Sequence, residues 1–137
     1  MSDLLLLDTC ALIWTIKGAP MRQEAIDAIE RASEWGALFA SPISAWEMTM
    51  LILKGRIQVE MPAQAFVTKA FANNKLQIAP LEPDIAINSC LLPGNLHQDP
   101  ADRFLAATAI RYGMRLVTRD DKLIEYGKGG YLAVLPC

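Results

Sequence analysis

The feature that most restricts the fold is a run of four leucines, residues 4–7, which ends at Asp8. A run this short cannot form a helix of its own. A continuous apolar run without alternation is typical of a strand that is buried on both faces, as strands in parallel sheets are. The chain is therefore expected to build a sheet that is covered on both sides.

Shorter apolar runs alternate with helical patterns along the rest of the 137 residues. Strands are predicted at residues 37–40, 76–79, 115–118 and 131–135. Helices are predicted at residues 10–16, 20–36, 42–54, 62–72, 83–92, 99–112 and 122–126, with Gly127, Gly129 and Gly130 forming a turn before the last strand. This alternation predicts an α/β three-layer fold with a mainly parallel sheet, and the length fits one domain over residues 1–137.

Composition excludes several classes of protein. With 53% hydrophobic residues the chain can form a substantial core, which excludes disorder. No signal peptide is recognisable, and a membrane span is not expected because the most apolar stretch, residues 37–53, contains Pro42 and Glu47. The scattered Cys10, Cys90 and Cys137 form no disulfide pattern, so we expect a reducing cytoplasm.

Two aspartates, Asp8 and Asp120, follow predicted strands directly. In open α/β sheets the functional crevice lies outside the carboxyl ends of the strands. Either aspartate could instead be the N-cap of the helix that follows it. Taken singly, each position fits both interpretations equally well.

Glu47 and Asp102 lie on predicted helices. Glu47 is the only charged residue between Trp35 and Leu53, and a lone carboxylate on an apolar helix face costs several kcal/mol unless it is paired, protonated or bound to a metal. The alternative is a surface glutamate beside Thr49. For Asp102, at the third position of its helix, interaction with the helix dipole is the simpler explanation when it is considered alone.

Together, Asp8, Glu47, Asp102 and Asp120 are expected to converge at one edge of the sheet. Crowded carboxylates repel one another, and bound cations are the usual reason for such crowding. All-oxygen ligands select Mg²⁺ or Mn²⁺. The single histidine, His97, excludes a multi-histidine zinc site and is expected to position its loop or to contact substrate. The net charge of −2 gives no support of its own for nucleic-acid binding.

Four ordered segments resemble the PIN domain, and more narrowly the VapC-type toxins of toxin–antitoxin systems. They are LLDTCALIW from Leu6, SAWEM from Ser44, HQDPADRFLAATA from His97 and LVTRDD from Leu116. Each motif is weak alone, but the ordered set is specific and covers nearly the whole chain.

The resemblance implies a PIN-like five-stranded parallel sheet, usually in a homodimer. It implies a Mg²⁺- or Mn²⁺-dependent endoribonuclease that hydrolyses RNA with metal-activated water and is silenced by an antitoxin protein. Asp8, Glu47, Asp102 and Asp120 match the family's acidic positions. Asp99 is expected to be a helix cap that could also contact metal. Residues expected to contact RNA are Thr118, Arg103 and Arg119, with Lys54 and Arg56 as weaker candidates for which ordinary surface charge is the preferred interpretation.

Two other classes of α/β protein do not fit the sequence. A haloacid-dehalogenase-like phosphatase needs a second aspartate where this chain has Cys10, and a receiver domain needs paired acids after its first strand. A non-catalytic PIN-like module that binds RNA or acts as a co-repressor with its antitoxin remains as the alternative.

Overall fold

The computed structural model describes residues 3–137 and contains a five-stranded sheet with strand order β3-β2-β1-β4-β5. All four neighbouring pairs are parallel. The strands are β1 (Leu5–Leu7), β2 (Leu38–Ala40), β3 (Gln77–Ile78), β4 (Arg115–Thr118) and β5 (Val134–Pro136). The helices are α1 (Thr9–Lys17), α2 (Gln23–Glu34), α3 (Pro42–Leu53), α4 (Ala63–Phe71), α5 (Pro83–Cys90), α6 (Pro100–Tyr112) and α7 (Asp121–Lys128).

The leucine run forms the central strand, and its side chains divide between two cores. Leu5 and Leu7 pack with apolar residues of α1, α2 and α4 on one face of the sheet. Leu6 packs with residues of α6 and α7 on the other face. Successive side chains of a strand point to opposite faces, so a strand between two helical layers must be apolar throughout. The predicted α/β three-layer fold is confirmed.

Three predicted boundaries are wrong: the start of α2, the end of α7 and the range of the last strand. Pro20 does not open α2, which begins at Gln23. The segment before α2 is held by its backbone instead, because Arg119 donates to the Pro20 carbonyl and the Arg22 N–H donates to the Cys137 carbonyl. Gly127 lies inside α7 rather than in a turn.

The last strand begins later than the predicted residues 131–135 and includes Pro136. Proline cannot donate a ladder hydrogen bond, and β5 is an edge strand, which is where proline is tolerated. Over residues 3–137, none of the helices combines the length and the apolar character that crossing a membrane requires.

Candidate metal centre

Asp8 and Asp120 lie at the carboxyl ends of two neighbouring strands. Leu7 of β1 pairs with Val117 of β4, and the Asp8 N–H donates to the Val117 carbonyl at 3.0 Å. Each aspartate also caps the helix after it: Asp8 accepts from Ala11 N at 2.7 Å, and Asp120 accepts from the first-turn amides of α7 at 2.8 and 3.1 Å. Capping fixes both carboxylates at this edge of the sheet.

Glu47 and Asp102 reach the same edge from helices α3 and α6. Ser41 caps α3 by accepting from Ile43 N at 3.1 Å. The hydroxyls of Thr9 and Ser44 lie 3.0 Å apart and join α1 to α3, which fixes the helix that carries Glu47. The contact between Thr9 and Ser44 joins residues that are distant in sequence, so helical periodicity alone could not have identified it.

All four acids line one cleft of about 310 Å³, which we call the acidic cleft. Its lining consists of five carboxylates, one guanidinium and three other side chains, namely Asp8, Glu47, Asp99, Asp102, Asp120, Arg119, Thr9, Cys10 and Trp14. With one basic residue against five acids, the cleft carries a strong local excess of negative charge. The concentration of acids inferred from the sequence is therefore present in the fold.

Burial in this cleft makes ionisation of the acids costly. Burial raises the pKa of Asp8 to about 6, hydrogen bonds with Thr118 and Ala11 oppose the rise, and the charge on Glu47 adds to it. Burial also raises the pKa of Asp102 to about 7, opposed by its hydrogen bond with His97. Crowded, poorly hydrated carboxylates of this kind are stabilised in their charged form by a cation.

The pKa of Glu47 is raised as well, first by burial, with a hydrogen bond from Thr9 opposing it and the charge of Asp99 adding to it. Asp99 is exposed and caps α6 by accepting from Ala101 N at 3.1 Å. The capping role expected of Asp99 is thus present, and its position in the lining of the acidic cleft leaves it within the candidate ligand set.

The donor chemistry of the site fits a hard divalent cation. Carboxylate oxygens are the ligands that Mg²⁺ and Mn²⁺ prefer. Ligand atoms of Asp102, Asp120 and His97 all lie within 4.8 Å of one another. Sequence analysis placed His97 near its loop or the substrate but missed its place beside these acids. The only available signal was its position just before the capped helix.

The three residues predicted to contact RNA lie in different settings. Arg119 lines the acidic cleft, with its guanidinium carbon 3.9 Å from the ring centre of Trp14. Thr118 is fully buried, and its hydroxyl accepts from Asp120 N at 3.0 Å. Arg103 donates to main-chain carbonyls before α6. Direct RNA contact by Thr118 or Arg103 stays a prediction, and their observed contacts favour a positioning role.

Lys54 and Arg56 are both exposed just after α3 and lie outside the lining of the acidic cleft. This setting fits the preferred interpretation of ordinary surface charge.

A parallel sheet with clustered acids at its carboxyl edge is the arrangement of the PIN domain, and the model of that family matches residues 5–129. The chain belongs to the PIN-domain family. It is 32% identical over 123 residues to ribonuclease VapC22 of Mycobacterium tuberculosis, covering 90% of this chain and 91% of that protein.

Solved structures show the same fold. VapBC2 from Rickettsia felis, bound to a DNA fragment from its promoter, is similar with a TM-score of 0.69 and 17% identity, over 96% of this chain and 97% of that chain. A toxin–antitoxin complex from Klebsiella pneumoniae is similar with a TM-score of 0.56 and 26% identity, over 86% and 88% of the two chains.

Proposed function

We propose that this protein is a metal-dependent endoribonuclease and the toxin of a toxin–antitoxin pair. The observation that carries the proposal is the convergence of five carboxylates in one cleft at the carboxyl edge of the sheet. Similarity to a ribonuclease across nine-tenths of the chain supports RNA as the substrate.

Asp8, Glu47, Asp102 and Asp120 would hold one or two Mg²⁺ or Mn²⁺ ions, with Asp99 as a further candidate ligand. Such ions supply two things at a phosphodiester: they lower the pKa of water so that it can attack phosphorus, and they neutralise charge on the attacking and leaving oxygens. The chain's own task is to keep the acids charged and correctly oriented.

Several side chains are placed for that task. The Thr118 hydroxyl hydrogen-bonds with Asp8, and the Thr9 hydroxyl hydrogen-bonds with Glu47. Each bond favours the charged form of its carboxylate. Arg119, held against Trp14, is the basic residue of the acidic cleft and is the side chain that we propose to bind an RNA phosphate.

A cleavage assay with the Asp8→Asn variant tests this function. Asparagine keeps the shape and the capping ability of Asp8 but removes a charged ligand, so cleavage of labelled RNA in Mn²⁺ should fall by at least about 100-fold. EDTA should abolish cleavage by the wild type. Asp27→Asn makes the same chemical change on the exposed face of α2, where Asp27 accepts from the Gln23 amide, and should leave the rate unchanged.

Cleavage that survives EDTA and dialysis, or equal rates for wild type and Asp8→Asn, would contradict the proposal. Metal-dependent RNA binding without turnover would instead support the non-catalytic alternative, a module that acts with its antitoxin.

We further propose a protein antitoxin as the partner, a homodimer as the assembly and the cytoplasm as the location. The three cysteines are free thiols, and disulfides are rare in a reducing cytoplasm. Expression of the wild type alone should slow bacterial growth, and co-expression of the cognate antitoxin should restore it. The toxin role fails if wild type and Asp8→Asn, expressed at equal levels, are equally harmless.

A further inference from the structure

The connection between α5 and α6, residues 91–99, is irregular but firmly held, and we call it the 91–99 segment. Arg103 of α6 donates from Nε to the Ser89 carbonyl and from Nη1 to the Leu96 carbonyl, both at 2.8 Å. A longer bond of 3.3 Å joins Nη1 to the His97 carbonyl. One guanidinium therefore ties the last turn of α5 and the later part of the segment to α6.

Two tyrosines hold the middle of the segment. The Tyr126 hydroxyl donates to the Pro93 carbonyl. A side chain at Gly94 would approach the Tyr131 ring to 2.7 Å, so only glycine lets the backbone lie this close to the ring. Irregular segments normally lie loosely on the surface. Contacts at several points along its nine residues therefore hold the backbone of this segment, and the side chains that it carries, in one position.

The 91–99 segment carries His97, whose imidazole contacts Asp102 of α6. His97 Nε2 lies 2.7 Å from Asp102 Oδ2, and their side chains are only 18% and 14% exposed. A carboxylate that holds a metal ion is charged and can only accept hydrogen bonds, so in the metal-bound protein Nε2 would be the donor. His97 Nδ1 is buried and finds no hydrogen-bond partner within residues 3–137, so among these residues the side-chain polar contact of the ring is the one between Nε2 and Asp102.

We propose that His97 is a positioning residue: its Nε2–H fixes one oxygen of Asp102 so that the carboxylate keeps the orientation in which it holds the metal ion. This inference rests on the proposed metal site but goes beyond the carboxylates that make it up. Loss of a hydrogen bond to a metal ligand commonly weakens metal binding or activity by about 10–100-fold. Arg103 acts one step further out, because it holds the backbone from which His97 projects.

Binding of Mn²⁺ without RNA, measured by calorimetry, tests the proposal independently of activity. His97→Ala should weaken Mn²⁺ binding by about 10-fold or more. His97→Gln, whose amide can donate from nearly the same place as Nε2, should recover most of that loss. Asn95→Ala, an exposed change in the same segment, serves as the matched control and should bind Mn²⁺ like the wild type.

The Asp102→Asn variant distinguishes failure of the His97 proposal from failure of the proposed metal site. If Asp102→Asn loses Mn²⁺ binding while His97→Ala keeps wild-type affinity, the role of His97 is refuted and the proposed metal site stands. If Asp102→Asn also binds normally, the proposed site itself is wrong. Equal losses in His97→Ala and His97→Gln would likewise refute a role that depends on the donated hydrogen bond.

Nitrogen NMR on the unaltered protein provides a test that does not depend on how the variants fold. His97 is the only histidine of the chain, so its two ring-nitrogen signals need no assignment by mutation. Positioning predicts that Nε2 stays protonated when Mg²⁺ is added. Loss of the Nε2 proton on adding Mg²⁺ would show that His97 itself ligates the metal, which would overturn the positioning role.

Discussion

At the scale of single residues, Asp8 shows why sequence reasoning could not choose between a helix cap and a metal ligand. Asp8 is 6% exposed, caps α1 through one oxygen and also lines the acidic cleft. The two interpretations are therefore compatible, and Asp120 repeats the combination. The residue types and strand-end positions predicted the cluster, while the partners that orient it came from distant parts of the chain.

The raised pKa of Asp8 predicts a pH-dependent stability of the metal-free protein. The ordinary value of 3.8 applies in the unfolded chain and the value of about 6 in the folded protein, so the folded state binds the proton more tightly. The contribution of Asp8 to stability is greatest below about pH 3.8, declines as the pH rises to about 6 and then stays level. The Asp8 contribution to the decline should be about 3 kcal/mol.

Urea unfolding in EDTA between pH 4 and 7.5 would measure this decline. Asp8→Asn removes the titrating group, so the variant should gain stability over the wild type as the pH rises from 4 to 6. Asp102, with its pKa raised to about 7, acts in the same direction in both proteins and largely cancels in the comparison. Stability curves that run parallel for the two proteins would show that the Asp8 carboxylate is not strained by burial.

At the scale of elements, the predicted strands and helices match the structure where the local sequence pattern and the tertiary packing favour the same element. Gly127 is the instructive exception. A glycine cluster normally marks a turn, but a Cβ at Gly127 would lie 2.7 Å from a Val134 methyl and 3.1 Å from the Leu132 carbonyl. Glycine is present there because α7 passes very close to the chain at β5. Close approach between elements leaves no signature that distinguishes such a glycine from a turn glycine.

Arg103 is a second residue whose role depends on how elements of the fold approach one another. Its position after the D-P-x-D motif made it a candidate for phosphate contact, yet its guanidinium binds the main chain of the 91–99 segment. A basic residue beside acids is ambiguous in a sequence, because a carbonyl of an irregular segment attracts a guanidinium as an RNA phosphate does. Only the path of the segment distinguishes the two roles.

At the scale of the whole molecule, parallel topology explains why acids far apart in sequence meet. With β1 between β2 and β4, the carboxyl ends of the central strands share one edge, and α3 and α6 begin close to it. The order of strands could not be deduced from periodicity, since every strand carries the same kind of apolar pattern. Resemblance to a family supplied what the pattern lacked.

Because the acids meet at one edge of the sheet, RNA affinity should depend on the charge of the acidic cleft as well as on the net charge of the chain. With a net charge of −2 and five acids around the acidic cleft, the metal-free protein should repel RNA phosphates. In EDTA at pH 8, where Asp8 and Asp102 are mostly charged, the double variant Asp8→Asn/Asp102→Asn should therefore bind labelled RNA more tightly than the wild type. The expected gain is about 10-fold at low salt, since like charges a few ångströms apart cost on the order of 1 kcal/mol or more each. Fluorescence anisotropy measures this affinity directly.

Added Mg²⁺ should strengthen RNA binding by the wild type and change binding by the double variant little, because the variant has lost two of the ligands that would hold the ion. The matched control is Glu24→Gln/Asp27→Asn, which makes the same change in net charge on the exposed surface of α2. Exposed charges are screened by water and salt, so this control should bind RNA in EDTA within about 2-fold of the wild type. If the two double variants gain affinity equally, net charge governs binding, and the acidic cleft is not where RNA approaches the protein.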